Sequence, residues 1–306
     1  MPADEPGTGG AGTGTGTWRA IRRHRSAAVG LALIALFIVA AVFAPLVANH
    51  DPLAITPDEL EGPSRHHFLG TDGVGRDVFS RLVFGSRLSL GTAALAASVV
   101  LVVGVSVGLL AGLRGGWVDA VSMRVVDGLL IFPSLVLVLA IAGTLRGGLL
   151  SIVAGLAAVS WAPYARLVRG LVLQLRDRPF VEAARAVGAT RWRIAVRHLL
   201  PNVAGPVVVL LTIEMGTFVL VVSGLSFLGV GAQPPSPEWG TMLSEGRRVL
   251  LTAPNQMLFP GAAITLVALG FNLVGEGIRD VLDPRGLVYA QATPPRSRRR
   301  TARQET

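Results

Sequence analysis

Cysteine and lysine are both missing from this 306-residue chain, and each absence closes a set of possibilities. Without cysteine there is no disulfide framework, no thiolate nucleophile and no thiolate-ligated metal. Without lysine there is no phosphate loop ending in Gly-Lys-Ser/Thr, whose lysine must reach the β and γ phosphates of a nucleotide. Any ATP hydrolysis this protein depends on therefore belongs to another polypeptide. Charge is scarce as well. Only 15% of residues are charged against 51% hydrophobic, and the mean hydropathy is +0.57, too apolar for an ordinary soluble domain. The sequence holds no hydrolase elbow, no His-Glu-x-x-His helix and no carboxylate pair at a useful spacing, so it reads as non-catalytic.

What it does hold is long apolar runs. A hydrocarbon layer about 30 Å thick needs roughly 20 apolar residues per helix. Six stretches fit, near 27–48, 89–113, 125–145, 149–168, 203–230 and 258–278. They predict an all-α, polytopic membrane protein with six transmembrane helices. The excess of arginine over acid, +9 in formal charge, points to membrane topology rather than nucleic acid. With the N-terminus inside, 21 of the 28 arginines fall on the side of the termini and 7 on the other, which predicts that both termini are cytoplasmic. Arg19, Arg22, Arg23 and Arg25 precede an apolar run too long for a signal-peptide core, so the first span is read as uncleaved.

The organisation follows. Residues 1–26, with a Gly/Thr run at 7–17, read as a disordered cytoplasmic tail. Residues 27–86 hold the first span and an extracytoplasmic loop, 87–286 the core with the other five spans, and 287–306 a basic cytoplasmic tail. Within the loop, Val78, Phe79, Leu82 and Val83 share one face of a short interfacial helix, on which Asp77 can pair with Arg81. In the second span Gly104, Gly108 and Gly112 form a small-residue stripe for close packing, either inside the subunit or against another.

Residues 179–202 carry the most functional information. Pro179 suits a helix start and Gly188 a helix end, and between them Phe180, Ala183, Ala184 and Val187 share an apolar face with small residues at its centre. Glu182 lies near the positive helix N-terminus, and Arg185 lies off the apolar face. A second helix begins at Thr190 as N-cap, with Trp192, Val196 and Leu199 on one stripe, Arg193 and Arg197 on another, and Pro201 as its stop. This is the shape of a plug for another protein's groove, although a basic face resting on anionic lipid would use the same residues.

The string Glu182-Ala183-Ala184, Gly188, Leu200-Pro201 resembles the EAA loop of ABC importer permeases, the segment that docks on a cytoplasmic ATPase. His198, inside Arg197-His198-Leu199-Leu200-Pro201-Asn202, is similar to the dipeptide and oligopeptide branch. So are Gly70-Thr71-Asp72 with Gly75-Arg76-Asp77, Leu225-Ser226-Phe227, Pro237-Glu238-Trp239-Gly240 and Asn272 to Arg285, so that the likeness spans about residues 18–286. The resemblance implies the ABC importer permease (MetI-like) fold, a second homologous permease subunit, two cytoplasmic ATPase subunits that use ATP and magnesium, an extracytoplasmic substrate-binding protein, and no cofactor on this chain. It implies a place in the bacterial inner membrane, surrounded by lipid, with no role for nucleic acid, and peptides as cargo. Relatives of the same architecture carry nickel or other small solutes. Phe180, Glu182, Ala183, Ala184, Arg185, Val187, Gly188, Trp192, Arg193, Arg197, His198 and Pro201 would form the coupling site.

One departure concerns the path. Three residues before Leu225-Ser226-Phe227 the branch has glutamate, and this chain has Val222. Glu214 lies two turns earlier in the same span, and a mid-span carboxylate is costly enough to face a cavity or a partner. The expectation is that Glu214 lines the translocation path and partly replaces the glutamate; helix packing would equally retain it. The pair His66-His67 could ligate metal, but adjacent residues seldom face one centre, so both are expected in solvent. Two other classes compete. An ion-coupled transporter should show several midplane ionisable residues or inverted repeats, and an intramembrane enzyme needs a nucleophile or metal set. The sequence offers neither.

Overall fold

The computed structural model describes residues 25–282, and the expected tails at 1–26 and 287–306 lie outside them apart from Arg25 and Ser26. Among the described residues the elements are helices: α1 (Arg25–Val42), α2 (Ala44–Val47), α3 (Val78–Arg114), α4 (Gly116–Ile131), α5 (Ser134–Thr144), α6 (Leu149–Val159), α7 (Ala162–Leu175), α8 (Pro179–Ala186), α9 (Arg191–Ile194), α10 (Leu200–Phe227), α11 (Trp239–Gly246) and α12 (Asn255–Leu282). The fold is an all-α bundle. Among the described residues five helical stretches are long and apolar enough to cross a membrane, and α4 with α5, a pair bent by 94°, is a broken sixth span or a re-entrant loop.

Proline and capping chemistry account for the three places where the helices differ from the expected spans. The third span is not continuous. Pro133 forces Phe132 out of the helical region, to φ −88° and ψ 146°, and the chain turns there. The expected interfacial helix is not a separate element either: it is the first turns of α3, which Asp77 caps by accepting from the Ser80 amide at 2.7 Å. Finally, Pro201 does not stop a helix. It stands in the first turn of α10, and helical backbone runs unbroken from Arg191 to Phe227. A proline ring crowds the carbonyl four residues back and offers it no N–H. Residues 195–199 accommodate this as a single wide turn, with the Leu200 amide bonded to the Ala195 carbonyl.

The glycine stripe packs inside the subunit. A Cβ on Gly108 would lie 2.7 Å from the Ala165 carbonyl and from Val168 Cβ, while Gly104 faces Tyr164 and Gly112 faces Val172. All of these neighbours are on α7, so the stripe brings α3 and α7 to near backbone contact. On the other side Gly270 and Gly277 of α12 meet α1, and Gly275 meets Ile213 of α10. The buried core joins Ala93, Ala96 and Val100 of α3, Val168 and Val172 of α7, Val203 and Val219 of α10, and Val267 of α12. We expect Gly108→Leu to cost about 1–3 kcal/mol by overpacking, read as a lower temperature of heat-induced aggregation in detergent. Gly170→Ala, where an added Cβ meets nothing within 4 Å, should leave that temperature unchanged.

Candidate functional site

The 179–202 segment is built by its caps. Arg178 is extended, Pro179 opens α8, and Gly188 takes φ +80°, which closes the helix in a Schellman turn: the Gly188 amide donates to the Arg185 carbonyl at 2.9 Å and the Ala189 amide to that of Ala184 at 3.0 Å. Thr190 then caps α9, its hydroxyl accepting from the Arg193 amide at 3.3 Å. Val181, Ala184, Ile194 and Leu199 belong to the bundle core and hold the segment there. Ala184 thus leaves the outward face expected for it, because α8 lies against the bundle with positions 181 and 184 turned inward. Val181 is absent from the residues that the sequence marks, although its i, i+3 relation to Ala184 defines a second apolar face.

Outside remain Phe180, Ala183, Val187 and Trp192, with Val187 85% and Trp192 77% exposed. Glu182, Arg185, Arg191, Arg193, Arg197 and Pro201 are exposed around them, and His198 is half-buried. Phe180, Ala183, Ala184, Val187, Gly188, Arg193, Arg197 and His198 line a shallow depression of about 480 Å³ between the two helices. The segment is therefore a ridge with a notch rather than a simple plug. Among the described residues Arg193 and Arg197 form no salt bridge, and Arg185 donates to the Arg176 carbonyl at 3.0 Å. A second, larger groove of about 880 Å³ runs between α3 and α10, walled by Leu101, Val105 and Leu109 on one side and by Val203 and Val207 on the other, and it also reaches Trp192.

The opposite end of α3, about 55 Å away for 37 residues of helix, carries buried charge whose pairing differs from the expected one. Arg81 does not meet Asp77. It binds Asp72 and donates to Glu245 Oε2 at 2.6 Å, while Arg76 donates to Asp72 Oδ2 at 2.7 Å and to Glu245 Oε1 at 2.8 Å. Two arginines and two carboxylates form a closed, charge-balanced square that pins the 68–81 loop to α11. Nearby, Glu238 is fully buried; it caps α11 by accepting from the Thr241 amide at 2.9 Å, and it accepts from the hydroxyls of Ser89 at 3.0 Å and Ser223 at 3.4 Å. It thereby ties α3, α10 and α11 together.

Of the two expected path residues, Val222 is fully buried in the packed core. Ser223, beside it, donates to the Glu238 carboxylate. Glu214 is half-buried on α10 and makes no side-chain hydrogen bond among the described residues. The expectation for the histidine pair holds for His66, which is exposed, and fails for His67, which is 6% exposed with Nδ1 2.9 Å from Asp77 Oδ1. The bend at 64–70, closed by the Ser64 and Gly70 amides on the His67 carbonyl, turns His67 inward and leaves His66 outside.

Residues 104–287 match the family model of the binding-protein-dependent transport system inner membrane component, and residues 14–63 match the N-terminal transmembrane domain of oligopeptide transport permease C. The chain is 42% identical over 278 residues to the dipeptide transport system permease protein DppC of Alkalihalophilus pseudofirmus, covering 89% of this chain and 91% of that one. It is 41% identical over 271 residues to the glutathione transport system permease protein GsiD of Pectobacterium atrosepticum, covering 88% and 90%. To the GsiD of an Escherichia coli strain it is 42% identical over 270 residues, covering 88% and 89%.

Proposed function

The chain belongs to the family of binding-protein-dependent transport inner membrane components, the permeases of ABC importers, and from that premise we propose that it forms the path for peptides and is driven through its 179–202 segment by a separate ATPase. The observation that carries the coupling role is the outward ridge of Phe180, Ala183, Val187 and Trp192 ringed by Arg185, Arg191, Arg193 and Arg197. Apolar side chains this exposed, set among cations, suit a protein partner with an apolar groove and acidic rim.

The backbone supplies a lever. Because helix runs from Arg191 to Phe227 without a break, a displacement of the ridge moves the far end of α10, where Ser223 and Glu238 join it to α3 and α11. ATP binding closes the ATPase pair, the ridge follows, and the bundle switches from inward-facing to outward-facing. The termini and the ridge lie in the cytoplasm, and a binding protein delivers cargo to the 68–81 and α11 end. A second, homologous permease covers the apolar groove between α3 and α10, and lipid surrounds the rest. The dipeptide and glutathione relatives favour a peptide-type cargo.

Photo-crosslinkers at positions 183 and 187 in native vesicles should capture an ATPase subunit, and uptake should follow ATP depletion and ignore an uncoupler. Failure of the crosslinks, or uptake that follows the uncoupler, overturns the coupling role. Glu214 faces the path in this reading. At unchanged expression Glu214→Gln is expected to alter uptake rate or cargo preference, whereas unchanged transport would assign the carboxylate to helix packing.

A further inference from the structure

The loop between α2 and α3 brings together two histidines and a carboxylate that are distant in sequence and play no part in the coupling or path roles above. His67 Nδ1 lies 2.9 Å and His50 Nδ1 3.9 Å from Asp77 Oδ1. The two imidazole rings stack with centroids 4.8 Å apart, and the three ligand atoms all lie within 4.8 Å of one another. We propose that His50, His67 and Asp77 form a binding site for one divalent transition-metal ion, with zinc the best match.

The argument is one of spacing and preorganisation. Ligands at about 2.0–2.1 Å from a tetrahedral zinc stand about 3.3 Å from each other, and the two distances to Asp77 bracket that value. Small rotations of the imidazoles complete the geometry. Two imidazoles and one carboxylate leave a fourth position for water, the composition of an open zinc site. His50, whose side chain is 39% exposed, leaves an entry route while His67 and Asp77 are buried. Each ligand is also held by its surroundings. The His50 amide donates to Ser80 Oγ at 3.1 Å, the Ser80 amide donates to Asp77 Oδ2 at 2.7 Å, and His67 is fixed by reciprocal bonds with Ser64, its amide to Ser64 Oγ at 3.0 Å and the Ser64 amide to its carbonyl at 2.8 Å. These contacts fix the backbone at His50 and His67 and one carboxylate oxygen of Asp77, so the three side chains are brought together before an ion arrives. Asp77 Oδ2 caps α3 while Oδ1 faces the two imidazoles, so an ion would take the place of the contact that Oδ1 now makes with His67 Nδ1. An ion there would clamp the exit of the first span, the loop and the start of α3 into one unit.

A second triple, Asp58, Glu61 and His67, also has its ligand atoms within 4.8 Å of one another, but its two carboxylates are exposed. It serves as the competing assignment. The test uses the full chain with the transporter subunits that co-purify in detergent, without a polyhistidine tag, stripped with EDTA, desalted and titrated with zinc chloride or cobalt chloride. We expect saturable binding of one ion per chain, with the intense visible absorption of tetrahedral cobalt. His50→Gln, at a half-exposed position whose ring does not hold the fold, should weaken zinc binding at least tenfold, and so should His67→Gln; His66→Gln should leave it unchanged. The proposal is overturned if the wild type shows no more saturable binding than the His50→Gln/His67→Gln double variant. It is equally overturned if Asp58→Asn/Glu61→Gln abolishes binding and His50→Gln does not.

Discussion

Replacing both Phe180 and Val187 with aspartate will leave the permease folded and in the membrane yet cut ATP-driven uptake at least thirtyfold. Both side chains stand outside the bundle, Phe180 41% and Val187 85% exposed, so neither supports the fold. In the docking proposed above they lie at the centre of the ridge, where truncating a central interface residue costs about 2 kcal/mol or more. An added carboxylate there is desolvated without a partner, a larger penalty. A loss of about 2 kcal/mol already weakens docking about thirtyfold, and an undocked permease cannot be driven. Cargo-stimulated ATP hydrolysis in proteoliposomes is the sharper readout, because it requires permease and ATPase to stay in contact. Thr212→Ala is the matched control: it removes a hydroxyl on α10 that is bonded only to its own helix, at the Val208 carbonyl. Uptake by the double variant within twofold of the wild type would remove the ridge from the mechanism.

The ridge is legible in the sequence because its information is local. Pro179, Gly188 and Thr190 each act within one turn of themselves, and the caps they predict are the caps that form. The apolar runs are legible for the same reason. Sequence and structure part where one local rule meets another. Pro133 sits inside a continuous apolar run, and length alone carries a span straight across it; the restriction on the residue before proline bends the pair by 94°. Pro201 has the chemistry of a stop, but the wide turn at 195–199 relieves the proline clash, and the helix continues at the cost of one irregular turn of backbone. Contacts between distant residues are not legible at all. Arg81 finds Glu245 across 164 positions and Ser89 finds Glu238 across 149, and no periodicity reports such partners. His67 is buried because the loop folds over it, with the Thr71 amide bonded to the Glu61 carbonyl and the Leu60 amide to that of Asp72.

Arg81→Met is the second large effect, this time on stability. Arg81 is 1% exposed and holds both Asp72 and Glu245. Breaking a buried ion pair by removing one partner costs about 3–5 kcal/mol, because the charge left behind has lost its solvation and its partner. Arg76 remains and bonds the same two carboxylates, which leaves two negative charges around one positive. At about 2 °C per kcal/mol for a chain of this size or slightly smaller, the midpoint of heat-induced aggregation in detergent should fall by roughly 6–10 °C. The partner test is sharper still. In Arg81→Met/Glu245→Gln the square becomes a neutral Asp72–Arg76 pair beside an amide, so the double variant should recover about 1–3 kcal/mol of the summed single losses. Glu245→Gln alone should also be destabilising, since it leaves Asp72 facing two arginines. If Arg81→Met melts within about 2 °C of the wild type, less than a single kcal/mol would produce, or the double variant loses the full sum of both singles, then the four charges do not act as one unit and the 68–81 loop is held to α11 by packing alone. In the coupling proposed above, a square that acts as one unit fixes the end of the lever, the loop and α11 resisting together a pull that α10 carries from the ridge.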